Sequence, residues 1–156
     1  MSVEVITINS AGVGLLGFPL GFTPKCTDLE SVLGESKIRT CPPLDHPRQL
    51  RICDTKGLSW LVETNRETVL WLHIRLATFR YRPQDDHDPT DVFKGKVRIG
   101  QYTVQGPFSF ETGEIVRTVV VPGLSIGFLP DDKLIRSISV SFTENEMQSD
   151  ACSNRS

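Results

Sequence analysis

Two glycine-rich motifs have the residue types and spacing for chemistry, and each can be judged by the backbone that follows it. Gly12-Val13-Gly14-Leu15-Leu16-Gly17 comes after an apolar run and matches G-x-G-x-x-G. A dinucleotide site needs that pattern to open a helix whose N-terminal amides face the pyrophosphate. Here Phe18-Pro19-Leu20-Gly21 comes next, and Pro19 with Gly21 forbids such a helix. The segment is expected to be a glycine-rich turn between strands. Gly123-Leu124-Ser125-Ile126-Gly127 matches the nucleophile elbow G-x-S-x-G. That motif works when a strand-turn-helix lifts the serine hydroxyl toward oxyanion donors. Phe128-Leu129-Pro130-Asp131-Asp132 cannot supply the helix, and the last histidine, His87, precedes the serine in the chain. Ser125 therefore reads as a strand serine, and no catalytic residue is assigned.

His46, His73 and His87 lie on a proline loop, a strand and an acidic connector, none spaced with a second metal-ligand type. His87 stands among Asp85, Asp86, Asp88 and Asp91. A calcium loop would need regularly alternating oxygen ligands and a later bidentate glutamate, and both are missing. No metal or cofactor is expected. The connector reads as solvated charge or as a protein-docking patch, so Asp85, Asp86, His87, Asp88 and Asp91 are the candidate partner-binding residues. Cys26, Cys41, Cys53 and Cys152 form no C-x-x-C pair and read as unpaired thiols in a reducing compartment.

The chain's 156 residues suit one domain with one core. A net charge of -2 with scattered Lys and Arg lacks the basic clustering that neutralises phosphates, which argues against direct nucleic-acid binding. Met1 to Ile8 has no basic n-region and carries Glu4 in its apolar run, so it reads as a strand rather than a signal peptide. No stretch approaches the ~20 apolar residues of a membrane span, and a cytoplasmic location is expected.

Gly and Pro punctuate the chain throughout, which favours short strands. One helix is predicted at Thr27 to Gly34, with Thr27 and Glu30 as a capping box, Gly34 as the stop, and Leu29, Val32 and Leu33 on one face. Arg39 to Pro47 reads as a loop, Leu50 to Asp54 as a strand, and Leu58–Val62 with Val69–Leu76 as a hairpin. In the second strand Leu70, Leu72, Ile74 and Leu76 share a face, while Trp71 and His73 point the other way, where the helix is expected to cover them. Residues 57 to 76 lie without a gap on 123 to 142, placing Leu72, Ile74 and Leu76 on Ile138, Val140 and Phe142. The matching phase points to duplication, with halves 1–82 and 92–143 in a single domain 1–143. Phe93 to Val104 reads as a third hairpin turning at Gly100-Gln101, Ile115 to Val121 as a further strand, and 144–156 as a polar tail. The expected class is α+β, with a mainly antiparallel sheet built from two similar hairpin halves.

Gly17-Phe18-Pro19-Leu20, the helix Thr27 to Gly34, Ile52-Cys53-Asp54-Thr55-Lys56-Gly57-Leu58, the strand ending Leu72-His73-Ile74-Arg75-Leu76, and Phe93-Lys94-Gly95-Lys96-Val97-Arg98-Ile99-Gly100 together cover most of residues 17 to 142. This succession resembles small cytosolic immunity proteins of bacterial type VI secretion effector–immunity pairs. Where those proteins place an aromatic residue before the aspartate, this chain has Cys53. The resemblance implies a non-enzymatic antitoxin that covers the active site of a cognate, cytosol-acting toxic effector such as a nuclease. The acidic connector would suit a basic cleft on that partner and speed the encounter. A small-ligand-binding domain and a structural component of an assembly are the other classes left open.

Overall fold

The computed structural model describes residues 5–15, 17–34, 36–40, 48–81, 88–119, 121 and 123–142. The tail 144–156, Cys41, Cys152, His46, Asp85, Asp86 and His87 lie outside the described residues. The chain opens with three antiparallel strands, β1 (Val5–Asn9), β2 (Gly12–Leu15) and β3 (Phe18–Gly21). Helix α1 (Cys26–Leu33) follows, then β4 (Lys37–Thr40), β5 (Arg48–Cys53), β6 (Leu58–Glu63) and β7 (Thr68–Arg75). After the connector come β8 (Lys96–Ile99), β9 (Tyr102–Gln105), the two-residue β10 (Phe108–Ser109), helix α2 (Phe110–Arg117), β11 (Ser125–Asp131) and β12 (Leu134–Ser141).

These strands form two sheets. The smaller runs β3-β2-β1-β8-β9, with β1 and β8 parallel and the other neighbours antiparallel. The larger runs β10-β12-β7-β6-β5-β4, and β11 pairs along the opposite side of β12. The parallel pair sets Ile6 beside Val97 and Ile8 beside Ile99. Those four side chains meet Leu58, Trp60, Leu72, Ile74, Ile138 and Val140 of the larger sheet in one core. Strand β8 alternates exposed and enclosed residues and β1 half-buried and enclosed ones, as strands with one face on a core must. The class is thus α+β with mostly antiparallel pairing, as the residue pattern predicts.

Two predicted hairpins close as expected, β6 with β7 and β8 with β9, the latter at Gly100, whose φ of +61° suits glycine. The ungapped match of 57–76 to 123–142 carries β7 residue for residue onto β12. Its two members lie side by side and antiparallel, Leu72 against Val140 and Ile74 against Ile138. The pairing inside the two hairpins differs by two residues: Ser59 faces His73, but Ser125 faces Ser141. A slip of two keeps every side chain on its own face, so the pattern survives it.

Several expectations are corrected. Where a strand is expected from Ile115, Ile115–Arg117 is instead the last turn of helix α2, which spans Phe110–Arg117. Ser109 caps it, its Oγ accepting from the Thr112 N–H at 3.1 Å, and Glu111 and Arg117 suit the ends of the helix dipole. Helix α1 begins at Cys26, not after a Thr27 cap. The Asp28 carboxylate accepts from the Lys25 N–H at 3.1 Å, and Glu30 instead accepts from Arg51 at 2.9 Å. Gly34 does end the helix, donating to the Glu30 carbonyl at 2.8 Å.

Gly12 and Gly14 lie in strand β2 rather than in a turn. A Cβ on Gly12 would sit 2.3 Å from the Gly21 carbonyl carbon of β3, and one on Gly14 would sit 2.5 Å from Thr7 Oγ1 of β1, so each glycine lets a neighbouring strand approach. Leu70 leaves the face of Leu72 because an irregularity in the β6–β7 register occurs between Leu61 and Val62. It joins Leu50, Ile52, Leu61 and Trp71 in a small cluster separate from the main core. Helix α1 does not cover Trp71, because Cys26, Leu29 and Leu33 pack into the main core on the other face. Among the described residues no helix is long and apolar enough to cross a membrane.

Candidate functional site

The outer face of the larger sheet carries its polar side chains in cross-strand rows. Ser59 on β6, His73 on β7 and Ser139 on β12 lie in one row, and Arg75 with Ser137 forms the next. His73, Arg75, Ser59 and Ser137 are all buried. His73 Nδ1 lies 3.1 Å from Ser139 Oγ, and its Nε2 lies 3.6 Å from Asp88 Oδ1. The second distance permits an ion pair when the imidazole is protonated but is too long for a direct hydrogen bond.

Serine, histidine and aspartate brought together are the parts of a nucleophilic triad. Acyl transfer also needs N–H donors aimed where an oxyanion would form. Ser139 lies mid-strand with β7 on one side and β11 on the other, so its surroundings are sheet ladder rather than a turn presenting free amides. The cluster instead fixes the connector's second half. The Arg75 guanidinium donates to the Pro89 carbonyl. The Phe93 N–H donates to the Arg75 carbonyl at 2.7 Å, and the Thr90 N–H to Asp54 Oδ1 at 3.0 Å. A Cβ on Gly57 would lie 2.1 Å from the Phe93 nitrogen, so the chain passes over this turn at closest approach.

Asp88 therefore points inward, its side chain 1% exposed, and is not part of a solvent-facing docking patch. The reason is tertiary: Arg75 and His73 on β7 supply buried polar partners for the chain at 88–89. Asp91 keeps a carboxylate 44% exposed, accepting from the Val92 N–H at 2.8 Å and lying 3.7 Å from Lys94 Nζ. Burial alone would raise the Asp54 carboxyl, but the Lys37 ammonium at 2.5 Å and the Thr90 donors outweigh it and hold it below its ordinary value. Burial pushes the Cys26 and Cys53 thiols up, which leaves little thiolate to act as nucleophile. Among the described residues no cluster of His, Cys, Asp and Glu could hold a metal ion.

A different surface lies between α2 and β11. Phe110 at the start of α2 is 45% exposed. The Arg117 guanidinium stacks over the Phe128 ring, 5.3 Å from its centroid, and Phe108 meets the same ring edge-on at 5.6 Å. On one side of this stack is a hollow of about 230 Å³ lined by Phe110, Glu114, Pro130 and Ile135. On the other is one of about 170 Å³ lined by Val119, Val121, Leu124 and Ile126. Arg117 and Phe128 border both. Ser109 with Thr112 three residues on, a serine cap before Glu111, was the sequence signal for α2 and hence for this groove. A third depression, about 720 Å³ and open, lies among Lys25, Gln49, Arg51, Asn65, Arg66 and Thr68, and its Arg51 is held by Glu30.

No protein-family model, curated protein or solved structure matches the chain.

Proposed function

We propose that this chain is a non-enzymatic protein-binding domain of the immunity kind, which neutralises a toxic, cytosol-acting effector by seating on it. The observation that carries the reading is the α2–β11 groove. It presents Phe110, Phe128 and Arg117, the residue types that dominate interface hot spots, around two apolar hollows. His73 and Asp88, both buried, serve the chain's own connector with the half-buried Ser139 beside them, which supports the non-catalytic half of the reading. Blocking an active site requires about 800 Å² per partner, so surface beyond the two hollows would join the contact. Asp91 retains the exposure to steer a basic partner, and its charge acts on association rate.

The test is capture of a partner with the tagged chain, reconstitution of the purified pair, and assay of the partner's activity. A one-to-one complex that silences the partner supports the reading. Self-association alone, or a partner left fully active, counts against it. The open polar depression favours a second reading, a small-ligand domain. A metabolite screen by thermal shift, with Arg66→Ala removing the response, would support that reading instead.

A further inference from the structure

We infer that β11 is a strand-addition site, and that its occupant is an extended partner segment with a carboxylate between two apolar side chains. The inference rests on the protein-binding reading above and names the chemistry of its partner. Strand β11 ends the larger sheet: along its outer edge it has no neighbouring strand among the described residues. Sheet edges are normally guarded by charge, proline or shortness. Strand β4 carries Lys37, β3 carries Pro19, and β9 is four residues long. Strand β11 has its guards at one end, Pro130 and Asp131 beyond an irregularity at Leu129/Pro130, and leaves Ser125-Ile126-Gly127-Phe128-Leu129 without charge or proline, with α2 beside it. An edge strand flanked by a helix gives an extended peptide main-chain partners on one side and side-chain pockets on the other.

The groove also states what the segment should carry. Arg117 lies between the two hollows and makes no ion pair among the described residues. In a strand, alternate side chains face one way, and positions i, i+2 and i+4 span about 13 Å. A segment of the form apolar-x-acid-x-apolar would fill both hollows and set its carboxylate on the guanidinium, a charge-assisted contact. A second copy of β11 fits poorly. Its alternating sets are Ser125, Gly127, Leu129, Asp131 and Ile126, Phe128, Pro130, and neither has an acid between two apolar residues.

The probes are two fluorescein-labelled heptapeptides, Thr-Val-Thr-Asp-Thr-Val-Thr and its variant with Lys in place of Asp, titrated against the intact chain by anisotropy. The Asp peptide should bind in the micromolar range and the Lys peptide roughly tenfold more weakly or worse. Arg117→Glu, at an exposed position, should reverse that order, and Phe110→Ala should weaken both. Amide exchange should slow within 125–129 on binding. Failure of both peptides to bind, an order unchanged by Arg117→Glu, or protection confined to another element would overturn the inference. So would a dimer in ultracentrifugation whose β11 amides are protected without peptide, since the occupant would then be a second copy. A silenced partner complex that Arg117→Glu leaves intact would sink this inference alone. Absence of any silenced partner would sink the protein-binding reading, whatever the peptides do.

Discussion

His73 and Ser139 face each other across the β7–β12 pair, Nδ1 to Oγ at 3.1 Å, and each is the other's counterpart in the ungapped match of the two hairpins. The two hairpins are therefore arranged about an approximate two-fold at this pair, and the connector's Asp88 closes onto one side of it. The equivalent position on the other hairpin carries a serine, so only one of the two can hold a charge. That asymmetry gives the connector a single place to dock.

Removing the buried Asp88 carboxylate leaves the polar side chains that face it without that partner. Asp88→Ala is expected to lower stability by about 1–3 kcal/mol, read from urea unfolding. Ser139→Ala removes one neutral contact and should cost about 1 kcal/mol. If Ser139→Ala instead abolished the chain's biological effect without loss of stability, the serine would be a nucleophile.

Gly57 sits at φ +71° with the backbone of 92–93 against it. Gly57→Ala should cost about 1–3 kcal/mol for the left-handed backbone, with more added by displacement of Val92 and Phe93. Gly34→Ala also has a positive φ but meets nothing within 4 Å, so it should be the milder of the two by thermal unfolding.

Asp54 makes an acid-side prediction. Its carboxyl is held below the ordinary value in the folded chain, so its contribution to stability is fully present above the unfolded value of about 3.9. That contribution falls away as pH drops through the lower, folded value. Asp54→Asn should flatten the stability profile below about pH 4 and leave its shape near neutrality unchanged. Lys37 is 70% exposed, so the effect should shrink as salt is raised.

Cys26 and Cys53 are enclosed, and burial raises both thiols. Site-resolved alkylation at neutral pH should be slow at both in the native chain and fast in urea. Rapid native labelling of Cys26 would show that α1 detaches readily from Trp60, whose Nε1 lies 3.5 Å from the sulfur.

Much of the fold was legible because it is local. The hairpin at Leu58 to Leu76 and the turn at Gly100 follow from alternation and from glycines that a positive φ requires. Helix α2 was hidden because Ile115-Val116-Arg117-Thr118-Val119-Val120-Val121 is β-branched at most positions and reads as a strand. What overrides propensity is packing: Val116 is buried, and Gly113 lies so near Ile135 that a Cβ would come within 2.3 Å of its Cδ1. The burial of Asp88 was illegible for another reason. Five polar residues in a row look solvated, and the partners that draw one inward sit on β7, reached only once the sheet has formed. The groove shares that difficulty, because Phe128 and Arg117 belong to separate elements and meet only in the folded chain.

The central claim is that this domain silences a protein partner through the α2–β11 groove. The most direct measurement is a titration of the purified partner's activity with the chain and with its Phe110→Asp, Arg117→Glu variant. Activity should fall to completion at one equivalent of the unaltered chain, and the variant should need roughly a hundredfold more. Full inhibition by the variant at one equivalent, or none by the unaltered chain, would contradict it.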